Sequence, residues 1–286
     1  MITPQERAAR RATIAQYCCK LVLTQTAVNL CEDATPRQEE FLLAVLEAEL
    51  AQRDVNRRSR LVARAGFPAY KTLEGFERQG VKIPSTLTWV DLESGGFITD
   101  RRNLVLYGPV GTGKTHFSVA LGYAACERGL TVRFFTVTDL VMRLSEAKRA
   151  GTVKRLLRDL QRADLVVLDE WGYVPVDHDG AQLLFRVIAD SYETRSLIIT
   201  TNPEFSKWGS VFADEQMTAA IIDRLAHHGH LIVFEGESYR MKHALMKERQ
   251  HAMAVLSPSA YGGRHPEGDR HRATPATAST RRLGAV

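Results

Sequence analysis

Gly108-Pro-Val-Gly-Thr-Gly-Lys-Thr115 is the stretch on which the fold turns. The octet satisfies the phosphate-loop pattern G-x-x-x-x-G-K-[ST] at every fixed position. The apolar run Asn103–Tyr107 precedes it, and a helical pattern follows toward Cys126, with Gly129 set to cap the end. Strand, glycine-rich turn and helix in that order build an anion cradle. The glycines let successive backbone N–H groups turn inward, and the helix N-terminus contributes the positive end of its dipole. Lys114 is expected to reach β/γ-phosphate oxygens, and the Thr115 hydroxyl to ligate Mg²⁺. Gly108, Pro109, Val110, Gly111, Thr112, Gly113 and His116 complete the expected ATP contacts.

Downstream, Leu165-Val-Val-Leu-Asp-Glu170 is an apolar strand ending in two acids. Such an ending puts carboxylates at the C-terminal edge of a parallel sheet, where α/β sites lie. Asp169 is expected to hold the metal through water, and Glu170 to polarise the attacking water. Leu197-Ile-Ile-Thr-Thr-Asn202 is a third buried strand with a polar end, and Asn202 is expected to help orient that water. Asn202 also suits a simple turn before Pro203.

Further outward, the apolar runs at 103–107, 132–136, 165–169, 197–201 and 231–234 alternate with helical patterns. The first four recur about every 30 residues, the spacing of βαβ units with both sheet faces covered. An α/β fold with a parallel five-stranded sheet sandwiched by helices is predicted over 66–250. Residues 1–65 read as a small N-terminal helical domain. Thr3 with Glu6 can form a capping box ahead of Pro4, and a second helix starts at Thr35-Pro36. From there Phe41, Leu42, Val45, Leu46 and Leu50 recur at helical spacing. Residues 53–64 are strongly basic, and Gly66 and Pro68 end the run. The segment 251–286, rich in Pro, Gly, Ser, Thr and Arg, reads as a disordered tail.

Composition sets outer limits. The 286 residues are 44% hydrophobic and 25% charged, values ordinary for a globular protein. No run approaches the roughly 18 apolar residues of a membrane helix, so no membrane partner is expected. The N-terminus lacks an apolar signal core, and Cys18, Cys19, Cys31 and Cys126 show neither metal spacing nor disulfide density. Cytoplasmic location and reduced thiols are expected. His227, His228 and His230 cluster without an acid or cysteine at metal-ligand spacing. Trp171 and Tyr173 are expected to pack the loop after the acids against the sheet.

Taken together, the loop, the acids and Asn202 resemble AAA+ ATPases. The stretches Asp169-Glu-Trp-Gly-Tyr-Val-Pro175, Trp208-Gly-Ser-Val-Phe212, Ile222-Asp-Arg-Leu225 and Gly236-Glu-Ser-Tyr-Arg240 are similar to the IstB family. Phe67-Pro68 and Lys71-Thr-Leu-Glu74 look like that family's linker into the ATPase domain. The family supplies helper ATPases of insertion sequences and is related to DnaC helicase loaders and DnaA. The resemblance covers about residues 66–247, with only general helical character before that. It implies that Arg224 is an arginine finger acting on a neighbouring subunit's nucleotide, and that Arg240 is a second sensor arginine contacting its own. Arg224 would otherwise be a cation favoured near a helix C-terminus.

A net charge of +5 and an isoelectric point near 9.1 suit a polyanionic partner. Between 143 and 162, Arg143, Lys148, Arg149, Lys154, Arg155, Arg158 and Arg162 face only Glu146 and Asp159. This density suits contact with the phosphates of double-stranded DNA without base reading, although a charge run can also be a solvated face. The expected function is that of a transposition helper. Subunits self-associate on target DNA with ATP, recruit and stimulate an IstA-type transposase, and are released by hydrolysis. The alternative is a DnaC-like helicase loader acting through its N-terminal helices. A small-molecule kinase is a poorer fit, because paired acids with Asn202 and Arg224 suit hydrolysis in an oligomer.

Overall fold

The computed structural model describes residues 3–173, 178–212, 214–239 and 241. The chain begins with α1 (Pro4–Lys20), opened by a capping box. Thr3 Oγ1 accepts from the Glu6 N–H at 3.3 Å, and the Glu6 carboxylate accepts from the Thr3 N–H at 2.8 Å. After α2 (Gln25–Glu32) comes the 30-residue α3 (Pro36–Ala65), started by a second box between Thr35 and Gln38 and stopped by Gly66 at φ +80°. Ile14, Cys18, Leu21 and Leu46 form a small buried cluster, with Leu42 and Leu50 packed on it. Phe41 and Val45, grouped with them by spacing, instead face outward at 70% and 45% exposure. At the start of α3 the buried Glu39 carboxylate is held by Arg7 at 3.0 Å and Arg11 at 2.7 Å. These ion pairs keep its pKa below the usual carboxylate range. The far end of α3 belongs to a different core, where Leu61, Val62 and Ala65 meet Phe134 and Val132.

The remaining elements are β1 (Val81–Lys82), α4 (Trp89–Ser94), α5 (Gly96–Thr99), β2 (Asn103–Tyr107), α6 (Lys114–Glu127), β3 (Val132–Thr136), α7 (Val137–Arg149), α8 (Val153–Gln161), β4 (Leu165–Trp171), α9 (His178–Ser191) and β5 (Ser196–Thr201). A 3₁₀ turn at Phe205–Lys207, α10 (Gly209–Phe212), α11 (Glu215–His227) and β6 (Gly229–Phe234) follow. The strands form one sheet in the order β1-β6-β2-β5-β4-β3. Five are parallel; β1 pairs antiparallel with β6 through Val81↔Phe234 and Lys82↔Val233. The sheet thus has six strands where five were expected. A two-residue edge strand is too short to show any apolar period.

Successive residues of a strand point to opposite faces. Val166, Leu168, Leu197 and Ile199 enter a core beneath α7, α8, α9 and α11. Leu165, Val167 and Ile198 enter the core of α6 and the end of α3. Burial on both faces explains why these strands read as unbroken apolar runs.

Candidate nucleotide site

The phosphate loop leaves β2 at the C-terminal edge of the sheet and enters α6 at Lys114. Gly108 sits at φ +151°, and a Cβ built there would lie 2.1 Å from the Phe234 carbonyl oxygen. Only glycine permits that approach to the end of β6. Gly111 and Gly113 follow at φ +83° and +97°, and the Thr112 hydroxyl donates to the Pro109 carbonyl at 2.8 Å. Val110 is exposed at the tip. Lys114 is buried, and its Nζ donates back to the carbonyls of Gly108 at 2.7 Å and Pro109 at 2.6 Å. Burial lowers its pKa to about 8, the charge of Asp169 opposing the shift.

The acids converge on the same edge. Thr115 Oγ1 lies 3.0 Å from both oxygens of Asp169, a buried carboxylate that also accepts from the Thr200 hydroxyl. Glu170 is exposed, with φ at +64°, and its N–H donates to Thr200 Oγ1 at 3.0 Å. Thr201 Oγ1 stands 3.1 Å from the Trp171 carbonyl oxygen, and Asn202 follows half-buried. Trp171 fills the core beside Trp208 and Phe212, whereas Tyr173, expected to pack with it, is 69% exposed.

Other expected residues are dispersed. The His116 ring meets the Thr72 carbonyl at 3.0 Å and lies beside Phe76. Arg224 is half-buried on α11, donates to the Ala220 carbonyl at 3.0 Å and stacks 5.1 Å over the Phe185 ring. Arg240 and the 251–286 tail lie outside the described residues. Arg143 pairs with Asp139 at 2.9 Å and Lys148 with Asp179 at 2.8 Å. Arg149, Lys154, Arg155 and Arg158 are exposed. Arg143, Arg155, Arg158 and Arg162 line a surface groove of about 910 Å³ between α7 and α8. His228 pairs with Glu193 and His227 with the Tyr192 hydroxyl.

Two contacts have no signal in the motifs. Thr200 joins the acids from the neighbouring strand. Beyond β6, the Tyr239 N–H donates to the Gly111 carbonyl at 3.0 Å, with Ser238 pressed against Gly111.

A loop, a buried lysine, a hydroxyl and a carboxylate in this arrangement suit a polyphosphate. The family model for the IstB-like ATP binding protein matches residues 21–247. The chain belongs to this family. Among curated relatives, an insertion-sequence protein of Sinorhizobium fredii (strain NBRC 101917 / NGR234), assigned as ATP-binding, is 38% identical over 73% of this chain and 70% of its own. The IS5376 counterpart from Geobacillus stearothermophilus is 31% identical over 83% and 97%. A DnaA replication initiator bound to AMPPCP and single-stranded DNA superposes with a TM-score of 0.50 at 21% identity, covering 68% of this chain and 58% of that one. That likeness bears on the fold alone, a mostly parallel sheet with helices on both faces. No helix among the described residues is long and apolar enough to cross a membrane.

Proposed function

We propose that this IstB-family chain hydrolyses ATP with Mg²⁺, assembles on double-stranded DNA and assists an IstA-type transposase, hydrolysis releasing the assembly. The observation that carries the reading is the meeting of Lys114, Thr115 and Asp169 at one sheet edge. Lys114 spends its donors on loop carbonyls, weak partners that a phosphate can displace with charge-assisted bonds. Thr115 and Asp169 offer hard oxygens side by side, a donor set suited to Mg²⁺. The ion would neutralise charge on the β/γ-phosphates. Glu170, exposed at the strand end, orients water and accepts its proton, and Asn202, directly after the end of the neighbouring strand β5, shares that task. Arg224, resting on Phe185, is available to a neighbouring subunit's γ-phosphate, and Arg240 serves its own subunit. The exposed cations of α7 and α8 supply DNA-phosphate contacts. The insertion-sequence relatives, matched over most of their lengths, favour the transposition helper over the helicase loader. The cytoplasm, which holds ATP and chromosomal DNA, is then its place of action.

Glu170→Gln tests the reading. The variant should bind ATP within about twofold of wild type while turnover falls about 10²–10⁴-fold, the contribution of a general base. Its complexes on DNA should outlive those of the wild type in a challenge with competitor duplex. Wild-type turnover, or equal lifetimes, would overturn it.

A further inference from the structure

Asp169 and Glu170 are adjacent in sequence, yet one is buried toward the loop and the other exposed. The pairing of β4 with β5 explains how. Leu168 lies opposite Ile199 and Trp171 opposite Thr201, so Asp169 and Glu170 together face the single residue Thr200. Two residues against one is a β-bulge, a device that re-aims a side chain. Here it forces Glu170 to φ +64°, a conformation that costs a non-glycine residue energy and persists only where the surroundings hold it.

The holding group is one hydroxyl. Thr200 is 3% exposed, and its Oγ1 donates to Asp169 Oδ1 while accepting the Glu170 N–H at 3.0 Å. A hydroxyl has one proton and two lone pairs, so both bonds coexist. Strand order makes this possible: β5 lies between β2, which carries the phosphate loop, and β4, which carries the acids. Thr115, which also bonds Asp169, sits on the loop side and would turn to ligate the metal. Thr200, on β5, keeps its hold on the carboxylate through Oδ1.

We infer that Thr200 is a positioning residue for ATP hydrolysis, fixing the Asp169 carboxylate and the Glu170 backbone through the same oxygen. The inference rests on the reading of those acids as hydrolytic groups. Its substance is that nucleotide binding, which the loop and Lys114 provide, does not need Thr200, whereas turnover does.

The test compares Thr200→Val, Thr200→Ser and Glu170→Gln in the full-length protein with Mg²⁺-ATP. Valine keeps the shape and removes both bonds; serine keeps the hydroxyl. Thr200→Val should lower kcat about 10–100-fold, the equivalent of losing a bond to a charged group. KM, and the dissociation constant of a fluorescent ATP analogue, should stay within about twofold. Thr200→Ser should recover turnover to within about threefold of wild type. An unchanged kcat in Thr200→Val, a serine variant as slow as valine, or a fall in nucleotide affinity matching the fall in kcat would each overturn the inference. Full turnover in Glu170→Gln would instead overturn the reading of the acids beneath it.

Discussion

Lys114 shows how a single buried cation is made ready for an anion. Removing it from water lowers its pKa to about 8, and two carbonyl bonds hold it at the mouth of the loop. The protonated amine is the form that attracts phosphate, and it is depleted as pH climbs past about 8. A bound polyphosphate favours the charged form, so binding above that pH takes up a proton. ATP affinity should therefore weaken by up to about tenfold per pH unit above the pKa of the empty site. Titrating a fluorescent ATP analogue between pH 7 and pH 9.5 checks this, and a flat profile would mean that Lys114 stays charged in the empty loop.

At the scale of an element, the phosphate loop depends on backbone approaches that admit no side chain. Gly108→Ala combines an unfavourable φ with a Cβ 2.1 Å from the Phe234 carbonyl, an atom anchored in β6. Gly75 also has positive φ, +70°, but nothing lies within 4 Å of its built Cβ. Gly75→Ala should thus cost only the conformational penalty, about 1–2 kcal/mol. Gly108→Ala should cost clearly more, and nucleotide affinity should fall with it. Chemical denaturation of both variants separates the two contributions; equal losses would mean that the end of β6 yields to the new methyl group.

For the whole molecule, the proposed chemistry is shared between copies. Within one chain Arg224 rests on Phe185 and its own helix, so its proposed target is an adjoining subunit's ATP. Arg224→Ala should bind ATP yet lose turnover by as much as about 10³–10⁵-fold, the range for arginine fingers. Lys114→Ala should be inactive because its own pocket fails. In a mixture, a Lys114→Ala subunit still offers an intact Arg224 to a neighbour with a whole pocket, and part of the ATPase activity should return. If the variants co-assemble by light scattering and no activity returns, Arg224 acts only on its own chain.

What the sequence determined by itself was whatever local rules encode. The phosphate-loop octet, the capping boxes at Thr3 and Thr35, and the five apolar runs were legible, because spacing, capping chemistry and two-sided burial leave marks along the chain. Helical period alone did not say which face of α3 meets α1, and so grouped the exposed Phe41 and Val45 with Leu42 and Leu46. It also gave no sign of β1, whose two residues become a strand only because β6 offers an open edge. Tertiary structure alone decided that Thr200 meets Asp169 and that Ser238 lies on Gly111. Those meetings join residues far apart in the chain, and strand order, set by the packing of both cores, brings them together.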